Sequence, residues 1–379
     1  MRDASKFSVE LSLLARATLR GNENLVFFED ESRLPDEERI IKLARWHQVQ
    51  SLLHDYLSEN ELFITESYFE QLKSHGIQEA VYNMIFLRKS LDLNRDLNAG
   101  GVHAFLMKGA LWAWLLYEKP ALREFGDIDF FLQKGDIPKG LTVFKGHGFH
   151  PDSYRKFLLD DEKVRKLYFD TDYQLPLEPE FAEIVKSIEI QWNSTYPRFA
   201  YSFSWDELMS RTMLFEVLDE KIVIPSIDNQ LLMMIVHHAG VEQWDKLKFM
   251  GDFVRLLRKF SKEIDWQYVT KITKQKGFNR LFKESLGMVR VLTGEDYSSF
   301  MGEGSLSHYP TEKFMSTVFS HWENLRPRPV TKSWQIFYFN MIYRDRPGDK
   351  LSILFKHLAY LLEWKLLIPK AVWYYKNRR

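Results

Sequence analysis

The chain of 379 residues is 45% hydrophobic and 15% aromatic, enough to bury a core across two or three domains and too much for a disordered protein. Lys plus Arg and Asp plus Glu both number 52, which argues against a protein whose main task is gripping nucleic-acid backbone, although a local basic patch is compatible with that average. Cysteine is absent, so disulfides, zinc–thiolate sites and cysteine nucleophiles are excluded, and a reducing compartment fits.

The opening run Met1 to Phe7 mixes polar and apolar residues at once and lacks the apolar core of a secretory signal. No stretch reaches the uncharged length of a membrane span, so the expectation is a cytoplasmic protein. Residues 1–95 read as helical: apolar side chains recur at three- and four-residue spacing through Leu11, Leu13 and Leu14, and again from Ile77 to Leu97. Arg33 to Glu38, with Pro35, reads as a loop before another helix. Ala99-Gly100-Gly101 is a break, after which the pattern shortens. Val102 to Met107 predicts a strand ended by Lys108-Gly109, and Ala110 to Tyr117 predicts a compact helix stopped by Pro120. Asp127 to Leu132 and Ser187 to Trp192 predict two further strands. Between them, Ile137 to Gly146 suits a helix ended by glycine. Residues 215–218 and 221–224 flank an Asp219-Glu220 turn and predict a hairpin. Asp228 is placed to cap a helix running toward Gly240, and Lys248 to Phe260 has amphipathic spacing. The expected layout is therefore a helical region 1–95, an α/β core 96–226 and a helical region 227–379.

The sharpest local feature is Gly126-Asp127-Ile128-Asp129. In a strand, residues two apart share a face, so Asp127 and Asp129 stand side by side while Ile128 and Phe130 face the core. Two carboxylates so placed repel unless a cation lies between them. Magnesium prefers oxygen ligands and keeps positions open for phosphates, as metal-assisted phosphoryl transfer requires. The bland alternative, two solvent-facing aspartates on an edge strand, sits poorly with the apolar Phe130-Phe131-Leu132 that follows. Lys108-Gly109-Ala110 joins a strand to a helix, a turn that leaves backbone N–H groups at a helix N-terminus as a phosphate seat. Arg123, four residues before Asp127, can grip phosphate in a forked geometry, or is simply a surface arginine.

The run Lys108-Gly109-Ala110, Leu116-Tyr117 and Leu122-Arg123-Glu124-Phe125-Gly126-Asp127-Ile128-Asp129 resembles the uncharacterised nucleotidyltransferase family of the DNA polymerase beta superfamily. His237-His238-Ala239, Trp244 and Leu247 to Asp252 extend the resemblance, which by order and spacing covers roughly residues 80 to 350. It implies an α+β fold, a small mixed-sheet core flanked by helical regions, with a third carboxylate on a later strand. Glu189 is the candidate, and Gln191 shares its face while Ile188, Ile190 and Trp192 face the core. The resemblance further implies that Asp127, Asp129 and Glu189 hold Mg2+, that Lys108, Gly109, Ala110 and Arg123 bind a nucleoside triphosphate such as ATP, and that Glu189 can take the acceptor's proton. Three departures bear on activity. Glu189 and Gln191 stand where the family carries Asp and His, Ala110 stands where the superfamily has serine, and the spacing from turn to Asp127 exceeds that of most of the superfamily.

His237 and His238 are adjacent on a helix and point about 100° apart, so one packed and one exposed imidazole is the simpler reading. Lys248 and Asp252 are spaced to pair on a helix surface. The basic cluster from Tyr154 to Lys166 is interrupted by Asp160, Asp161 and Glu162 and reads as a solvated helix face. Leu351 to Arg379 mixes Trp, Tyr and Lys and reads as a helix packed on the core with a basic end. Contact with a membrane surface or partner is the alternative, and Pro369 argues against one unbroken helix. The expected partners are a nucleotide and an acceptor, a small molecule or sugar phosphate before a protein or RNA. The rival readings are a nucleotide-binding or interaction protein that has lost transfer, a phosphohydrolase, and a purely structural helical protein.

Overall fold

A computed structural model describes residues 7–20, 35–60, 64–301, 309–324 and 332–377. Arg33 and Leu34 of the expected loop lie outside them. All seven strands among the described residues fall between Ala104 and Pro225, and helices fill the described chain on either side. The residues cluster into two compact units whose segments alternate along the sequence. A helical unit draws on 1–84, 112–125 and 230–339, and a sheet unit on 85–111, 126–229 and 340–379. No helix among the described residues is long and apolar enough to cross a membrane.

In the sheet unit, β1 (Ala104–Met107), β2 (Ile128–Leu132), β3 (Phe149–Pro151), β4 (Gln174–Pro179) and β5 (Ile188–Gln191) form one mixed sheet in the order β1-β2-β5-β4-β3. β2 and β5 pair in parallel; the other pairs are antiparallel. The register places Leu106, Ile128, Phe130, Leu132, Ile188 and Ile190 on one face, each at most 1% exposed. The helix Ile137–Gly146 covers that face, with Phe144 against Phe130 at a ring separation of 5.8 Å. Burying each such Phe contributes about 1.5–3 kcal/mol. Gly140 permits the close approach: a Cβ there would meet Leu132 Cδ2 at 2.6 Å.

The opposite face is divided. Phe105 stacks on Phe131 at 5.2 Å and meets Trp205 at 5.3 Å. Beyond Phe131 the same face carries Asp129 and, beside it on β5, Glu189 and Gln191. The strands β3 and β4 were not legible in the sequence, because Pro151, Pro176 and Pro179 read as strand breakers. β3 pairs only with Leu177 to Pro179, so on that edge no strand lies beside Pro176 to miss its N–H.

The hairpin formed by β6 (Thr212–Val217) and β7 (Glu220–Pro225) turns at Leu218-Asp219, one residue before the expected Asp219-Glu220, and Leu218 takes φ +53°. The next helix starts at Ile227. The Ser226 hydroxyl, not Asp228, accepts from the Asn229 N–H at 3.5 Å, and Asp228 sits in the first turn. At the other end of the unit, the chain breaks between the helices Pro347–Leu361 and Trp364–Asn377, and Pro369 lies inside the second. The predicted break is real, but it falls at Leu362-Glu363.

Several helices of the helical unit are short and carry side-chain caps. Ser8, Asp36, Asp265 and Thr311 each accept from the N–H three residues on, at the starts of Val9–Leu19, Glu37–His47, Trp266–Gln275 and Glu312–Trp322. Trp112, Trp244 and Trp322 are fully buried. The Trp322 indole donates to the Trp244 carbonyl at 2.6 Å, and the Trp244 indole to Ser285 Oγ at 3.1 Å. Residues Ile235–Val241 widen into a π-helix, a local form frequent at functional positions.

Candidate functional site

Asp127 lies just before β2 and Asp129 within it, so the two-residue period places both carboxylates on one face, as expected. Asp129 stands directly opposite Glu189 across the parallel β2–β5 pair. Ligand oxygens of Asp127, Asp129 and Glu189 all lie within 4.8 Å of one another. Asp129 is buried, and Asp127 and Glu189 are half-buried.

Lys108 ends β1 in the left-handed region at φ +48°, a conformation that a residue with a Cβ adopts at some cost. Its ammonium reaches Asp129 Oδ1 at 3.4 Å, with both side chains more than nine-tenths buried. The Gln191 amide donates to the same oxygen at 2.9 Å and to Glu189 Oε2 at 3.5 Å. Gln191 is fully buried, and its own carbonyl oxygen finds no hydrogen-bond partner. Gly109 and Ala110 open the helix Gly109–Leu116 immediately after Lys108.

Burial pushes the Asp129 carboxyl up to about 8; Lys108 pulls it down, and the charges on Asp127 and Glu189 raise it further. Burial also raises Glu189, helped by Asp127 and opposed by Lys108 and Gln191. A half-enclosed group of three acids at this spacing offers hard oxygen donors and a surplus of negative charge, a set that suits magnesium.

The model of the uncharacterised nucleotidyltransferase family matches residues 34–294, well over half of the chain. The chain belongs to that family. No curated protein and no solved structure matches it. The matched span begins earlier and ends earlier than the stretch of roughly 80 to 350 that the sequence resemblance covers. It holds the whole acidic group, and membership supports a nucleotidyltransferase-type function for the chain.

The other residues that carry the family resemblance meet in the helical unit. Arg123 donates from Nε and Nη2 to the two oxygens of Asp252, at 2.9 Å each. The Tyr117 hydroxyl donates to Asp252 Oδ1 at 2.8 Å, and His238 Nε2 lies 3.4 Å from Oδ2. Trp112 packs against both the Arg123 guanidinium and the His238 ring. Asp252 is fully buried; burial alone would raise its carboxyl, but Arg123 and His238 hold it well below the usual carboxylate range. Arg123 is thus no surface arginine.

Lys248 does not pair with Asp252. Its ammonium reaches Gln48 Oε1 at 2.5 Å and the Glu124 carbonyl at 3.1 Å. Tertiary partners outcompete the neighbour one helical turn away. His238 is buried and His237 half-buried, close to the reading of one packed imidazole. In the sheet unit, Lys156, Lys163, Arg165 and Lys166 are exposed, as a solvated helix face requires.

Proposed function

We propose that this chain is a magnesium-dependent enzyme that moves a nucleoside monophosphate from a nucleoside triphosphate to an acceptor hydroxyl or phosphate. The observation that carries this reading is the meeting of Asp127, Asp129 and Glu189 within 4.8 Å, with Asp129 and Glu189 in register across β2 and β5. Those three carboxylates would hold the metal. Bound magnesium supplies a positive centre that neutralises the triphosphate oxygens. Lys108 adds a fixed positive charge beside the site, and the Gly109-Ala110 helix start offers backbone N–H groups to phosphate. Glu189 takes the acceptor's proton as the acceptor oxygen attacks the α-phosphorus, and pyrophosphate leaves. Arg123 enters more weakly: its fork is engaged by Asp252, so gripping phosphate means exchanging one anion for another. In this reading residues 96–226 are the catalytic core, residues 1–95 and 227–379 its helical flanks, and the setting is cytoplasmic. A small molecule or sugar phosphate is the favoured acceptor, ahead of a protein or RNA.

Calorimetric titration of each nucleoside triphosphate with magnesium tests it, on the natural protein and on an Asp127→Ala, Asp129→Ala double variant. Metal-dependent binding that vanishes in the variant supports the reading and names the base. Binding absent from both folded proteins would sink it.

One observation favours a second reading, a nucleotide-binding protein of the same fold with weakened transfer. Lys108 and Gln191 both engage Asp129 Oδ1, so the most buried acid is already partnered from within the chain. Nucleotide binding without turnover against a broad acceptor panel distinguishes it.

A further inference from the structure

The sheet unit ends in two helices that bury one face each and leave a second apolar face uncovered. Pro347–Leu361 packs inward through Ile353, which is fully buried, and through His357 on the Phe199 ring. Trp364–Asn377 packs inward through Leu366, and through Trp373 and Tyr374 on the Tyr154 ring. On the outer side, Leu351, Phe355, Leu358 and Leu362 follow at helical spacing. Trp364, Ile368, Val372 and Tyr375 repeat the pattern on the second helix. These eight side chains are between 42% and 85% exposed. A row of that length is far more than the scattered apolar residues of an ordinary surface.

Charge says what covers it. From Arg346 to Arg379 the sequence holds eight Lys or Arg against two acids, Asp349 and Glu363, in a chain whose formal charge is zero. Asp349 is already held by Arg346. Lys356, Lys365 and Lys376 are exposed next to the apolar rows, and the Lys365 ammonium lies over the Trp364 ring at 5.6 Å. A second copy of this chain would bring like charges together across a two-fold interface. An anionic lipid surface complements them, and Trp and Tyr between apolar and basic residues are the side chains that settle at the level of lipid headgroups.

We infer that the helices Pro347–Leu361 and Trp364–Asn377 lie on the surface of an anionic phospholipid bilayer, apolar rows inward and lysines at the headgroups, so that the protein is peripherally membrane-bound. The inference does not depend on the nucleotidyltransferase reading.

The test is co-sedimentation of the full chain with phosphatidylcholine vesicles, with and without phosphatidylserine. The natural protein is expected to pellet only with phosphatidylserine present and to release as salt is raised. A Phe355→Ser, Leu358→Ser variant should lose binding outright, and a Lys365→Gln, Lys376→Gln variant should weaken it about fivefold per lysine. All four side chains are exposed, and circular dichroism checks that the variants fold. Equal binding to neutral vesicles, or no binding to either, overturns the inference. So does a lipid-free dimer, seen by sedimentation velocity, that the Phe355→Ser, Leu358→Ser variant dissociates.

Discussion

Replacing Asp252 by Asn removes one charge from a buried group and leaves the other without its counter-ion. Asp252 is fully buried and the Arg123 side chain 4% exposed, so water cannot restore what the pair loses. The Asn oxygen can still accept from Arg123 Nε and the Tyr117 hydroxyl, but its amide nitrogen cannot accept from Arg123 Nη2, so the fork is lost. Breaking a buried pair from one side costs about 3–5 kcal/mol, against well under 1 kcal/mol for an exposed pair. The structure places Asp252 in the first class, so Asp252→Asn should lower unfolding stability by about 3–5 kcal/mol. An Arg123→Met, Asp252→Leu double variant removes both charges together and should lose much less than the two single variants combined. Urea denaturation of the natural protein, Arg123→Met, Asp252→Leu and the double variant closes the cycle, with the shift in midpoint as the readout. Asp252 sits well below its ordinary value, so its contribution is present above about pH 4 and fades as the pH falls through the lowered folded value. A loss below about 1 kcal/mol in Asp252→Asn, or strict additivity in the cycle, would refute the reasoning and leave Arg123 available to phosphate.

Asp129 titrates in the opposite sense. Its folded value of about 8 lies above its ordinary 3.8, so in the metal-free protein the stability this one group contributes is fully present below that lower value and is lost as pH rises through the upper one. The loss is at most about 1.4 kcal/mol per pH unit, and Asp129→Asn should flatten the curve in thermal melts from pH 5 to 9 in chelator. Lys108→Met removes the ammonium that sits 3.4 Å from Asp129, so titration should show tighter magnesium binding and weaker triphosphate binding. Equal affinities in both proteins would mean that Lys108 does not face the ion. Gly140→Ala drives a methyl into Leu132, which is fully buried, and should cost about 1–3 kcal/mol by urea midpoint.

Features with a short period were for the most part legible in the residues alone. Alternation at Asp127 and Asp129 put both carboxylates on one face, alternation from Ser187 to Trp192 put Glu189 and Gln191 together, and the limits of Ile137–Gly146 were legible to the residue. Family resemblance supplied the reason to connect Asp129 with Glu189, but not the distance between them. That was decided by the parallel register of β2 and β5, a pairing across 60 positions that no local pattern encodes. Arg123 and Asp252 illustrate the same limit more sharply. Helical spacing offered Lys248 as the partner of Asp252. The folded chain instead brings Arg123, Tyr117 and His238 to it and sends Lys248 to Gln48. A carboxylate with no access to water takes the partners that packing delivers, and packing depends on the whole chain.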